Sequence, residues 1–205
     1  MVSPKIENAI YLVSTPIGTL SDFTFKGLNL LKKVDVLIAE DTRVLRHLMR
    51  MYDIATSGRR ILSYNDHSSE KRRTEIVNEI KLGKSAAYFS DAGTPLISDP
   101  GFKLVDKVIN EGLKVRVAPG ASSMLAAVCL SGLPTDRFLF NGFVPSKKTA
   151  RLNLFKELSS LPFTLIFLES PKRLVSTLDD MVSILGEDRH GAVCREITKL
   201  HEEVV

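Results

Sequence analysis

The sequence predicts an α/β protein organised on a parallel sheet, and three observations carry that expectation. Short apolar runs alternate with amphipathic helical patterns through the first 130 residues, the order that strands joined by helical crossovers produce. Several runs, such as residues 34–39 and 85–89, are dense enough in apolar residues to read as buried strands. Each run ends in small, turn-forming or acidic residues, and the carboxyl ends of parallel strands are where such sheets hold ligands.

In chain order, residues 9–13 form a strand that runs into Ser14-Thr15-Pro16-Ile17-Gly18. Phe25, Leu28, Leu30 and Leu31 recur at near-helical spacing, which predicts a helix over 21–33. The strand at 34–39 leads to Glu40-Asp41-Thr42-Arg43, and the helix after it, ending near 51, separates Leu45, Leu48 and Met49 from Arg43, Arg46, His47 and Arg50. A short strand at 61–64 precedes the polar residues Asn65-Asp66-His67-Ser68-Ser69. The helix at 70–82 turns Ile76, Val77 and Ile80 inward and closes at Gly83. After the strand at 85–89, the loop 90–101 reads Ser-Asp-Ala-Gly-Thr-Pro-Leu-Ile-Ser-Asp-Pro-Gly. Its length exceeds that of an ordinary βα connection, which marks Asp91 to Pro95 as a ligand loop, while Asp99 and Pro100 read as N-cap and first turn of the next helix. That helix, 102–111, ends at Gly112. A strand at 114–118 leads through Pro119-Gly120-Ala121-Ser122-Ser123 into a helix reaching residue 130.

At Ser131-Gly132-Leu133-Pro134-Thr135-Asp136 the alternation breaks and a second domain begins to show. It continues with a strand at 138–143, a basic helix at 146–158, a strand at 163–168, a helix at 172–185 and strands at 191–195 and 198–205. The expected organisation is an N-terminal parallel-sheet domain, 1–118, and a mixed-sheet C-terminal domain, 119–205. The chain stops on Val204-Val205 without a turn or cap, as expected of a protein that continues.

Lys plus Arg exceed Asp plus Glu by 28 to 24, giving a net charge of +4, compatible with an anionic partner but not diagnostic of one. Cys129 and Cys194 lack the spacing of a disulfide framework or zinc knuckle. No Gly-x-Gly-x-x-Gly, Gly-x-Ser-x-Gly or paired-His motif is present, and Gly83-Lys84-Ser85 lacks the glycine and following helix of a phosphate loop, so no metal is expected. The absence of a transmembrane-length run, and of a signal-peptide core at residues 1–5, makes the cytoplasm the default location.

Six ordered segments carry a resemblance that spans nearly the whole chain: Ser14 to Gly18, Ala39 to Arg43, Ser90 to Gly101, Ser131 to Phe138, Glu169-Ser170-Pro171, and Arg195-Glu196-Ile197-Thr198-Lys199-Leu200-His201-Glu202. Together they resemble the bacterial small-subunit rRNA methyltransferase I family, cytidine 2′-O-ribose methyltransferases of the tetrapyrrole methylase superfamily. The resemblance implies a two-domain class III methyltransferase fold, a homodimer, and S-adenosylmethionine bound between two α/β domains. It places the cofactor against Pro16, Ile17, Asp91, Thr94, Ser122, Ser123 and Leu168.

A 2′-hydroxyl is a weak nucleophile, so a base or a cation beside it would assist transfer. Glu40, Asp41, Arg43, Glu196 and Lys199 are the candidates; Glu196 and Lys199, three apart on a strand, would face opposite ways. Arg59, Arg60, Lys172 and Arg173, in expected loops, are candidates for contact with RNA phosphates. Two alternatives stand beside 2′-O-methylation of small-subunit rRNA: a tetrapyrrole-type small-molecule methyltransferase, and a non-catalytic rRNA-binding or assembly factor.

Overall fold

The computed structural model describes residues 6–205; residues 1–5, where the sequence shows no signal-peptide core, lie outside the described residues. The chain divides into two compact units, Met1–Ser122 and Ser123–Val205.

Five parallel strands form the sheet of the first unit: β1 (Ile10–Val13), β2 (Val36–Ala39), β3 (Arg60–Ser63), β4 (Ala86–Phe89) and β5 (Val115–Ala118), in the order β3-β2-β4-β1-β5. Four helices cross between them: α1 (Phe25–Lys33), α2 (Thr42–Met51), α3 (Glu70–Lys81) and α4 (Phe102–Asn110). Strand side chains alternate between two cores. Tyr11, Val13, Leu37, Ala39, Ala87 and Phe89 pack with Leu30 and Leu31 of α1 and Leu45 and Met49 of α2. Ile10, Val36, Ile38, Ala86 and Tyr88 pack with Ile76, Val77 and Ile80 of α3 and Leu104 and Val108 of α4. Helices on both faces explain why β2 and β4 read as unbroken apolar runs: every side chain in them is buried.

Two helix starts in the first unit differ from the sequence expectation. Residues Leu20–Asp22 form a separate 3₁₀ turn, and α1 begins at Phe25 because the Thr24 hydroxyl accepts from Gly27 N at 3.0 Å and caps it. Asp99 is not the N-cap of α4 and Pro100 is not its first residue. Gly101, at φ 127°, holds the cap position without a side-chain bond, and the helix starts at Phe102. The turn into α4 needs a backbone conformation that favours glycine, which moves the boundary past Asp99.

The second unit contains α5 (Ser123–Leu130), β6 (Phe138–Phe143), α6 (Lys148–Leu158), β7 (Thr164–Leu168), α7 (Leu174–Leu185), β8 (Cys194–Arg195) and β9 (Glu203–Val204). β6 and β7 pair in parallel while β8 and β9 pair antiparallel, so strand directions are mixed. Helices α6 and α7 are joined by a buried ion pair, Arg151 Nη2 to Asp180 Oδ2 at 2.5 Å. The strand expected at 198–205 shrinks to β9, because Glu196 and Thr198 take left-handed backbone angles and fold residues 196–202 into turns. Among the described residues no helix is long and apolar enough to cross a membrane.

Candidate active site

The loops at the carboxyl edge of the first unit follow its strand order: 64–69 after β3, 40–41 after β2, 90–101 after β4, 14–19 after β1 and 119–122 after β5. From β1 the chain crosses toward β2, and from β4 it crosses the other way to β5. The direction of winding therefore reverses between neighbours β1 and β4, the position where open α/β sheets form a ligand crevice.

At that reversal the two loops are stitched together. Thr15 N donates to Gly93 O at 2.9 Å, and Gly93 N donates to Thr15 O at 3.1 Å. The Thr15 hydroxyl donates to Ser90 O at 3.1 Å, and the Ser90 hydroxyl donates back within its own loop to Gly93 O. Ser14 donates to the Thr94 hydroxyl at 3.3 Å, which in turn donates to Ala121 O at 3.1 Å and ties in the loop after β5. Buried hydroxyls thus satisfy loop carbonyls that water would otherwise have to reach.

Gly93 has φ 86°, and a Cβ there would sit 3.2 Å from Ile17 Cγ2. A Cβ on Gly120 would lie 3.1 Å from Ser14 Cβ. Both positions keep the backbone bare where three loops meet. Beyond Gly93, Leu96 (φ 70°) and Ser98 (φ 53°) are also left-handed without being glycine. Strain of this kind persists only where surrounding contacts enforce it, and it clusters at functional loops.

Carboxylates line the neighbouring part of the edge. Asp91 accepts a hydrogen bond from Asp41 N at 3.2 Å, linking the loops after β4 and β2. Burial, and then the charge of Asp41, nevertheless hold Asp91 above the usual carboxylate range. Glu40 is raised by burial and next by Asp91. Asp99 is pushed up to about 7, by burial first and then by Glu40 and Asp91. Its Oδ2 is buried with no donor among the described residues, which is costly for an ionised carboxylate. Keeping its proton spares Asp99 that cost beside the carboxyl of Glu40. Burial likewise raises the phenol of Tyr88, whose ring packs edge-on against Tyr64 at 6.2 Å.

Asp41 behaves differently from these three. Its carboxylate caps α2, accepting from Arg43 N at 2.8 Å, and also pairs with the Arg43 guanidinium at 2.6 Å. Those bonds lower it to about 2.

Of the residues the sequence marks for cofactor contact, Pro16, Ile17, Asp91 and Thr94 lie in the stitched β1 and β4 loops and Ser122 ends the loop after β5. Ser123 opens α5 and Leu168 closes β7 in the second unit. Glu169, next to Leu168, accepts from Ser170 N at 2.6 Å, Thr177 Oγ1 at 2.7 Å and Arg173 at 2.5 Å. Burial raises this carboxyl, but the hydrogen bonds outweigh it and hold it low. Glu196 and Lys199 lie in the turn between β8 and β9, where Lys199 N donates to Glu196 O and their side chains pair at 3.2 Å. They face each other across a turn, not opposite sides of a strand.

The cations in the expected loops already have partners inside the fold, except Lys172, which is exposed. Arg59 donates to the carbonyls of Leu31, Lys32 and Val34 at the end of α1. Arg60 pairs with Glu75 at 2.9 Å and Glu79 at 2.7 Å, and Arg173 bonds Glu169 and Val144 O. The Thr15–Gly93 bridge and the mutual influence of the Glu40 and Asp99 carboxyls are invisible in the sequence, although the dense Gly, Ser and Thr content of the Thr15 and Gly93 loops signals close packing there.

The profile of the tetrapyrrole (corrin/porphyrin) methylases matches residues 9–205. The ribosomal RNA small subunit methyltransferase I of Mesorhizobium japonicum is 46% identical over 199 residues, covering 97% of this chain and 67% of that protein. The protein of the same name from Thermotoga maritima is 44% identical over 194 residues, covering 95% of this chain and 85% of its own length. Among solved structures, the cobalamin biosynthetic cobalt precorrin-4 methyltransferase superposes with a TM-score of 0.69 over all of this chain and 87% of its own, at 17% identity. Uroporphyrin-III C-methyltransferase from Thermus thermophilus, complexed with S-adenosyl homocysteine, gives a TM-score of 0.64 over 96% of this chain and 86% of its own, at 20% identity. At those identities the superpositions speak for the α/β fold alone.

Proposed function

Because the chain belongs to the tetrapyrrole methylases, within the family of the ribosomal RNA small subunit methyltransferase I proteins, we propose that it methylates the 2′-oxygen of a cytidine ribose in small-subunit rRNA, with S-adenosylmethionine as donor. The observation that carries this is identity of 38–46% to proteins of that one name, spread over nearly the whole chain.

The first unit fits such a donor. Gly93 and Gly120 leave bare backbone at the meeting of three loops, and Asp91 and Glu40 put carboxylates on the same edge, complementary to a cationic ligand. When bound, the donor supplies an electrophilic methyl group on a sulfonium. The chain's own contribution is chiefly to fix the two reactants, and positioning alone accounts for much of the rate such reactions gain. Pro16, Ile17, Asp91, Thr94, Ser122, Ser123 and Leu168 hold the donor in this reading, all seven on the resemblance.

Glu40, whose basicity is raised, is better suited to take the hydroxyl proton than Asp41, which is held near 2 by Arg43. Asp41 and Arg43 then act by fixing the start of α2 beside Asp91. Glu196 and Lys199 remain proposed on the resemblance alone. Lys172, exposed and without an ion pair among the described residues, keeps a proposed RNA contact; for Arg59, Arg60 and Arg173 the same role would require exchange of the partners they now hold. The homodimer is proposed on the resemblance, and the cytoplasm is the location in keeping with the proposed rRNA substrate.

Methyl-labelled donor incubated with small subunits lacking the modification tests this directly. Label is expected on a cytidine ribose; label on a base, or none, refutes it. Asp91→Ala should weaken donor binding at least tenfold by calorimetry while the protein stays folded, and unchanged affinity would remove Asp91 from the site.

A further inference from the structure

We propose that the outward face of α2, from Arg43 through Arg46 to Arg50, docks the phosphates of the RNA strand next to the target nucleotide. This rests on the rRNA substrate proposed above and adds the surface that would guide it to the site.

The helix TRVLRHLMRM contains three Arg, one His and no acidic residue. Leu45 and Met49 fasten it to the sheet, being 2% and 0% exposed. The remaining spacing sets Arg43, Arg46, His47 and Arg50 on one exposed stripe, at i, i+3, i+4 and i+7. Arg43 is held by Asp41, while Arg46 reaches the carbonyl of Thr42 at 3.5 Å; among the described residues neither Arg46 nor Arg50 has a carboxylate partner. Most cations on the opposite face of the sheet are neutralised. Arg72 pairs with Glu75, Arg73 and Lys107 with Glu70, and Lys81 with Glu111. Like charges spaced along one helix cost stability unless something external compensates them, and a chain of phosphates is the partner they match.

The stripe also has a direction. It begins at Asp41, whose N–H is bonded to the Asp91 carboxylate, so its near end lies at the candidate donor loop. From Arg43 to Arg50 is seven residues, about 10 Å of helix at ~1.5 Å per residue. At ~3.4 Å per nucleotide in a stacked strand, that length follows about three phosphates. Each of the two unpaired guanidiniums should then displace one counterion.

The experiment measures binding of in-vitro-transcribed small-subunit rRNA between 50 and 300 mM salt, for the wild type, for Arg46→Gln/Arg50→Gln, and for Arg72→Gln/Lys81→Gln, which removes equal charge from the neutralised face. The α2 variant should bind roughly tenfold more weakly near 150 mM, with a salt slope smaller by about 1.4, from ~0.7 per phosphate contact. It should raise KM for small subunits with little change in kcat and leave donor affinity unchanged. The other variant should behave as the wild type. If the two variants lose affinity equally, or α2 loses none while the wild type binds and methylates RNA, the docking surface is wrong and the proposed function survives. If the wild type neither binds nor methylates rRNA, both fall.

Discussion

Replacing Asp99 with Asn should stabilise the protein above neutral pH and leave it unchanged in acid. Asp99 is held at about 7 in the folded chain, against an ordinary value of 3.8. The native state therefore keeps a proton that the unfolded chain releases between those values. Its contribution to stability is fully present below pH ~4 and is lost as pH rises toward 7, since stability falls wherever the native state binds more protons. About three units at ~1.36 kcal/mol each set a ceiling near 4 kcal/mol. Asp99 is only partly buried, so solvent screening brings the expected effect to about 2 kcal/mol.

Asn keeps the shape without a charge to desolvate. The chain has no Trp, so urea unfolding followed by circular dichroism at pH 4, 5, 6, 7 and 8 is the suitable assay. At pH 8 the variant midpoint should lie about 1 M higher, taking an m-value of ~2 kcal/mol/M. Acids held low by ion pairs, such as Glu70 and Glu79, titrate the opposite way, but they are common to both proteins and cancel in the difference. Superimposable pH profiles would show that Asp99 carries no shifted proton.

Gly93→Ala should cost about 1–2 kcal/mol and weaken donor binding, because it combines a φ of 86° with a Cβ 3.2 Å from Ile17 Cγ2. Gly58→Ala, at φ 72° with open space around it, supplies the strain without the contact; equal effects of the two on donor affinity would deny Gly93 any part in the site. In the second unit, Arg151→Leu leaves the carboxylate of Asp180 buried, with Lys148 at 3.6 Å as its remaining cation. A loss of about 3 kcal/mol in urea unfolding is expected, and Arg151→Leu/Asp180→Leu should recover most of it. A double variant no more stable than the single would show that the loss does not come from an unpaired Asp180 carboxylate.

Alternating apolar runs and amphipathic helices were enough, by themselves, to determine the parallel α/β class, the sequence of strands and helices, and the strand-end loops on which a site could be built. Burial on both faces leaves β2 and β4 little choice of composition, whereas the Thr24 cap that starts α1 four residues late had to be seen in the structure. The ordered motifs also identified the family. Only the tertiary structure decided which loops touch, because strand order is a property of non-local pairing: β4 lies between β1 and β2, and so Gly93 meets Thr15. Only it separated four acids at one sheet edge, tying Asp41 to Arg43 while burial raises Glu40, Asp91 and Asp99. And only it showed that Arg59 closes α1 and Arg60 pairs with two glutamates, while Arg46 and Arg50 stand without carboxylate partners. A residue's charge is written in the chain, but what neutralises it comes from segments distant in sequence.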